Sequence, residues 1–135
     1  MVVGLLLVGL AAPVLAQDQK QAINVELNRL EPSAGTCRAY VVIENATESA
    51  FSDLRYDLVI FDDSGIVARR LALETAPLPA GKTSLKVFDL ADLACDRIGR
   101  ILINDILECA DTSGTRDDCL ALLRLSSRST SPLIR

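Results

Sequence analysis

Histidine and tryptophan are absent from this 135-residue chain, methionine occurs only as Met1, and 4% of the residues are aromatic. Without His, and with no CxxC pair, the usual ligand sets for zinc, copper and haem are missing, so no metal and no cofactor are expected. The same gap removes the commonest general base. Ser126, Ser127, Ser129 and Ser131 then have no obvious activating partner, and a Ser-Lys pair through Lys82 or Lys86 is singled out by nothing. The stretch GKTS at 81–84 lacks the upstream glycine of a phosphate loop. Basic stripes are missing too. With a net charge of -4 and Lys and Arg scattered, neither nucleic acid nor an acidic lipid surface is an expected partner.

What is present begins with "MVVGLLLVGLAAPVLA", which has no charged side chain and closes on Val14-Leu15-Ala16. It reads as a secretory signal peptide, residues 1–16, though the usual Lys or Arg at its start is missing. The apolar run is short of the ~20 residues that span a bilayer, so cleavage is favoured over an anchor. Residues 17–125 are then one domain with a single core, and 126–135 a polar, flexible tail. A periplasmic or secreted location follows, with no transmembrane span after cleavage. An oxidising compartment turns four cysteines into two disulfides. Three connectivities are open to them. Cys37–Cys95 with Cys109–Cys119 is favoured, because the second pair flanks the polar loop ADTSGTRDD, residues 110–118.

Period-two alternation dominates the mature chain. Ile23, Val25 and Leu27 alternate with polar residues; Cys37, Ala39, Val41 and Ile43 do so with Arg38, Tyr40, Val42 and Glu44. Leu54, Tyr56, Leu58 and Ile60 make the inner row of a third strand, and Phe51 plugs one end of the core. Residues 66–73 form an edge or a sheet-crossing strand with no clean polar row. Pro77 and Pro79 mark a connection, Thr83, Leu85 and Val87 start a fifth strand, and DLADLACDRIG suggests a helical turn capped by Asp89. RILINDIL, 100–107, and CLALLRL, 119–125, complete about seven strands, the last open to a helical reading. The expected fold is all-β, a single Ig-like two-sheet sandwich with disulfides and a core of Leu, Val and Ile.

Residues 40–88, "YVVIENATESAFSDLRYDLVIFDDSGIVARRLALETAPLPAGKTSLKVF", resemble the FxLYD-type bacterial envelope domain in their order of strands and turns. The resemblance implies an Ig-like module of a secreted chain or lipoprotein, usually with no known activity. The cysteine-bearing second half departs from that pattern. As a whole the chain is similar to small secreted proteins of proteobacteria.

Four places are candidate sites. Asp62-Asp63-Ser64-Gly65 reads as a hairpin turn, because adjacent carboxylates on a strand point to opposite faces and a calcium loop needs further spaced oxygens. Glu108, Asp111, Asp117 and Asp118 gather around the 110–118 loop, with Arg116 among them; this reads as a solvated loop. Asn45-Ala46-Thr47 reads as a turn. Arg69 and Arg70 on the doubtful fourth strand, extended by Tyr40 and Val42, offer a surface for another envelope protein. The expected function is a non-catalytic interaction or scaffolding module. The alternative is a small secreted enzyme or enzyme inhibitor using loop 110–118.

Overall fold

The computed structural model describes residues 21–135, with Met1, Gly4 and residues 9–11 ahead of them. The expected cleavage site and most of the apolar leader lie outside the described residues. Among the described residues nine strands run in chain order: β1 Ile23–Ser33, β2 Thr36–Asn45, β3 Phe51–Asp62, β4 Val67–Glu74, β5 Thr83–Leu90, β6 Ile98–Asp111, β7 Gly114–Thr115, β8 Leu123–Ser127 and β9 Leu133–Ile134. They form two sheets, ordered β5-β2-β1-β8 and β4-β3-β6-β7, with β9 also on β6. The chain changes sheet after β2, β4, β5, β7 and β8, so the two layers are stitched together repeatedly. This is the all-β two-sheet sandwich expected, with more strands than the seven expected because β7 and β9 are two-residue pieces.

The inner rows follow the alternation. Val25 and Leu27 of β1, Ala39, Val41 and Ile43 of β2, and Leu54, Tyr56, Leu58 and Ile60 of β3 are all buried, each large one worth about 1.5–3 kcal/mol of transfer free energy. Phe51 is buried as expected at one end, where its backbone bridges Leu78. Tyr56 is wholly buried and its hydroxyl makes no hydrogen bond. Burial pushes its pKa up.

Both disulfides have the favoured pairing, Cys37–Cys95 and Cys109–Cys119. The first ties β2 to the 3-10 turn Cys95–Arg97 that leads into β6; the second ties the far end of β6 to a helical turn, α1, Cys119–Leu122. Each bridge therefore fastens a crossing between the sheets.

Three expectations need correction. The helical turn begins at Cys95 without a side-chain cap, whereas Asp89 lies in β5 and pairs with Arg38 at 2.8 Å. CLALLRL is neither strand nor helix throughout: α1 takes its first four residues and β8 starts at Leu123. Residues 126–135, expected as a flexible tail, enter both sheets. Ser126 and Ser127 close β8, Leu133 joins the core from β9, and the buried Ser131 hydroxyl donates to the Ile98 carbonyl at 2.8 Å. Serine content hid this, because these hydroxyls turn the chain locally: Ser127 Oγ donates to the Ser131 carbonyl at 2.7 Å, and the Ser129 amide donates to Ser127 Oγ at 3.1 Å.

Candidate functional site

The Asp62–Gly65 segment is a turn built by its own side chains. Asp62 Oδ1 accepts the amides of Ser64 and Ile66, each at 2.9 Å, and Gly65 sits at φ 81°, in the left-handed region that glycine enters freely. Asp63 faces the other way and pairs with Arg97 at 3.1 Å. Gly99 closes the contact: a Cβ there would lie 2.3 Å from the Asp62 carbonyl oxygen. Asp62 is thus spent on backbone amides and Asp63 on an arginine.

Arg69 and Arg70 are neighbours with separate tasks. Arg69 pairs opposite Ile60 on the inner row and crosses to the other layer, where its guanidinium donates to the carbonyls of Ala91 and Asp92 at 2.8 and 3.3 Å. Arg70 lies on the outer face of the second sheet and holds Asp57 through two bonds, 2.9 and 2.8 Å, while Asn104 adds a third at 2.8 Å. Asp57, an outward position by alternation, is left only 5% exposed in its side chain. Hydrogen bonds from Arg70 and Asn104 pull its pKa down to about 2. A carboxyl whose folded pKa lies below its unfolded value of 3.8 stabilises the fold above that value and loses this as pH falls towards about 2. Acid titration followed by circular dichroism should show the native state weakening across that window. Asp57→Asn should flatten this limb, and an unchanged acid limb would show that Asp57 does not carry it.

Tyr40 is on β2 of the first sheet, so it shares no face with Arg69 and Arg70. The expected joint patch does not form. Its register is as expected, outward beside Val42, and what completes the surface comes from β5. Val87 stands opposite Tyr40 and Leu85 opposite Val42. Leu85 and Val87 are 56% and 46% exposed. The alternation at 83–90 is compatible with either row facing in; Phe88 and Leu90, opposite Ala39 and Cys37, fix the choice and turn Leu85 and Val87 to solvent. Lys86 then points inward on an edge strand, a placement that discourages strand-on-strand pairing along β5. At one end of the apolar group Arg38 and Asp89 pair, each holding the other charged: the bond from Arg38 lowers the Asp89 pKa.

The 110–118 loop is held from within. Arg116 donates to Asp118 at 2.9 and 2.7 Å, to Asp111 at 3.2 Å and to Ser49 Oγ at 3.0 Å, and lies over the Phe51 ring at 5.2 Å. The bond from Arg116 lowers the Asp118 pKa. Beside the loop is an open cleft of ≈ 630 Å³ whose lining includes Asp53, Asp105, Glu108 and Asp117. Glu108 pairs with Arg55 at 2.7 Å. Among the described residues, no cluster of three or more His, Cys, Asp or Glu has a metal-holding arrangement.

Asn45 is a polar centre that the sequence reading passed over as a turn residue. It is fully buried, and its amide nitrogen lies 2.8, 3.0 and 3.2 Å from the carbonyl oxygens of Ser49, Leu78 and Pro79. Its Oδ1 accepts both the amide and the hydroxyl of Thr47, at 3.1 and 2.7 Å. The signal was the spacing of Asn45, Thr47 and Ser49, which suits side chains that hydrogen-bond two residues on.

These features define a two-sheet β-sandwich with a disulfide at each end of β6. No family model matches the chain, and no curated protein matches it in sequence. Among solved structures it is similar to IrmA from Escherichia coli, with a TM-score of 0.56 at 14% identity, over 84% of this chain and 97% of IrmA. That likeness is one of fold. Among the described residues no helix is long and apolar enough to cross a membrane.

Proposed function

We propose that this chain is an exported, non-catalytic module that binds another envelope protein, in the periplasm or outside the cell. The observation that carries the reading is the apolar group Tyr40, Val42, Leu85 and Val87 on the outer face of β2 and β5, with Leu85 and Val87 about half exposed. Apolar side chains gathered on an outer sheet face gain most when another surface covers them. The charged groups support the same reading from the other side. Asp57, Asp89, Asp118 and their arginines are held in intramolecular pairs, which suits structural carboxylates better than acids or bases poised near neutral pH. The uncharged leader and two disulfides support export. The resemblance of residues 40–88 to FxLYD-type envelope domains points the same way.

A second reading, a small enzyme or inhibitor working through loop 110–118, is favoured by the cleft beside that loop. Paired variants separate the two in cells that need the protein. Leu85→Lys with Val87→Lys should abolish function while the fold is retained, and Asp118→Asn, within the loop, should leave it intact. The reverse pattern would transfer the function to the loop.

A further inference from the structure

Among the described residues β6 is the longest strand, Ile98–Asp111, and on the side away from β3 it is paired with other strands only at its two ends, with α1 standing beside it. β9 pairs with Ile101 and Leu102, and β7 with Ala110 and Asp111. Between them, Ile103–Glu108 has no strand partner on that side among the described residues; the Cys109 carbonyl already accepts the Arg116 amide at 2.9 Å. A gap of that length along a strand, at about 3.3 Å per residue, is on the order of 20 Å. Bulges opposite Arg55/Tyr56 and Asp57/Leu58 interrupt the β3 pairing there as well, leaving Asn104 and Leu107 out of the ladder. Apart from the Ile106 amide, which donates to Asp105 Oδ1 at 2.8 Å, the backbone along this notch therefore has hydrogen-bonding capacity that strand pairing among the described residues does not use.

The notch opens on two adjoining clefts. One, of ≈ 630 Å³, runs along residues 105–110; the other, of ≈ 540 Å³, along 102–104, and both are lined by Asp117 and Leu120. Their chemistry differs along the length. Towards β7 the lining carries Asp105 and Asp117, while Arg116 there is already engaged by Asp111 and Asp118. Towards β9 it is Leu102, Leu120 and Ala121, with Arg135 bonded to the Leu120 carbonyl.

We propose that the β6 notch receives an extended peptide segment of a partner protein as an added strand between β7 and β9. The segment carries Lys or Arg where it passes Asp105 and Asp117, and an apolar side chain against Leu120 and Ala121. Main-chain hydrogen bonds to β6 supply attachment, and Asp105 and Asp117, which pair with no Lys or Arg among the described residues, select a cationic strand. This surface is separate from the β2–β5 face, so a partner can engage either one alone.

The test titrates the full chain with two blocked synthetic hexapeptides, Lys-Val-Thr-Val-Lys-Val and Glu-Val-Thr-Val-Glu-Val, and follows backbone amide shifts by NMR. The cationic peptide should shift amides of 103–109 and 115–121 and bind about tenfold more tightly than the acidic one. In Asp105→Lys with Asp117→Lys the preference should invert, and N-methylation of alternate peptide amides should abolish binding. Leu85→Lys with Val87→Lys should leave all of this unchanged. Shifts elsewhere, or equal binding of both peptides, would overturn the proposal. So would slow hydrogen exchange, in the free protein, at those amides of 103–108 that point away from β3: if concentration-independent, a segment of the same chain fills the notch; if concentration-dependent, a second copy does.

Discussion

Asn45→Asp is expected to destabilise the fold by about 3–5 kcal/mol, the cost typical of leaving an uncompensated charge buried. The substitution keeps the shape of the side chain and exchanges its two N–H donors for an oxygen. Three carbonyl oxygens, those of Ser49, Leu78 and Pro79, now face that nitrogen within 3.2 Å; all three would lose this donor and meet a carboxylate instead, keeping only their bonds from the Thr47 hydroxyl and the Phe51 and Lys82 amides. The site is fully buried, so water is not there to replace the lost bonds. Backbone bonds from the Asn45 amide to Lys82 and from Gly81 to the Asn45 carbonyl hold the same two loops, so the damage should spread through 46–50 and 78–82. Desolvation and the facing carbonyls would raise the pKa of the new carboxyl, making the variant's loss smaller as pH falls and the group protonates. Urea unfolding at two pH values measures both effects. A loss under about 1 kcal/mol at neutral pH would contradict the role given to Asn45.

Removing the disulfides should cost unequal amounts. Cys37–Cys95 closes a separation of 58 residues and Cys109–Cys119 one of 10, for which chain-entropy restriction gives about 4 and about 3 kcal/mol. Double Ser variants of each pair, compared by urea midpoints, should therefore rank in that order. The larger bridge also lies deeper at Cys37, which is fully buried against the first sheet. For a core with neither Trp nor many aromatic rings, a loss of this size is a large part of the ordinary 5–15 kcal/mol margin, so the Cys37–Cys95 variant should be the one that fails to accumulate in its compartment. Equal midpoints for the two variants would show that the long loop retains structure when unfolded.

Much of the architecture was legible because burial on a sheet has a period of two. Inner rows such as Val41–Ile43 and Leu54–Ile60 needed nothing beyond that alternation, and the loop between Cys109 and Cys119 suggested its own closure. Where both rows of a strand are partly apolar, the rule gives no answer. At 83–90 the outcome rested on Phe88 and Leu90 finding Ala39 and Cys37 in the neighbouring strand, a tertiary fact that no local window contains. Leu85 and Val87 were accordingly missed as surface residues. The arginines failed for a different reason. Adjacent in sequence and assigned to one patch, Arg69 and Arg70 point to opposite sides of β4, one crossing between sheets to Ala91 and the other covering Asp57. The C-terminal serines read as a solvated tail because composition does not record that Ser131 meets the Ile98 carbonyl.

The central claim, that the chain works by holding another envelope protein, is tested most directly by cross-linking the tagged mature protein in its own envelope. Recovery is followed by mass spectrometry without reductant. The account expects one dominant partner, recovered with both disulfides intact and at least about tenfold less with Leu85→Lys and Val87→Lys. Recovery of no partner by the unaltered protein, or of the same partner equally by the variant, would contradict it.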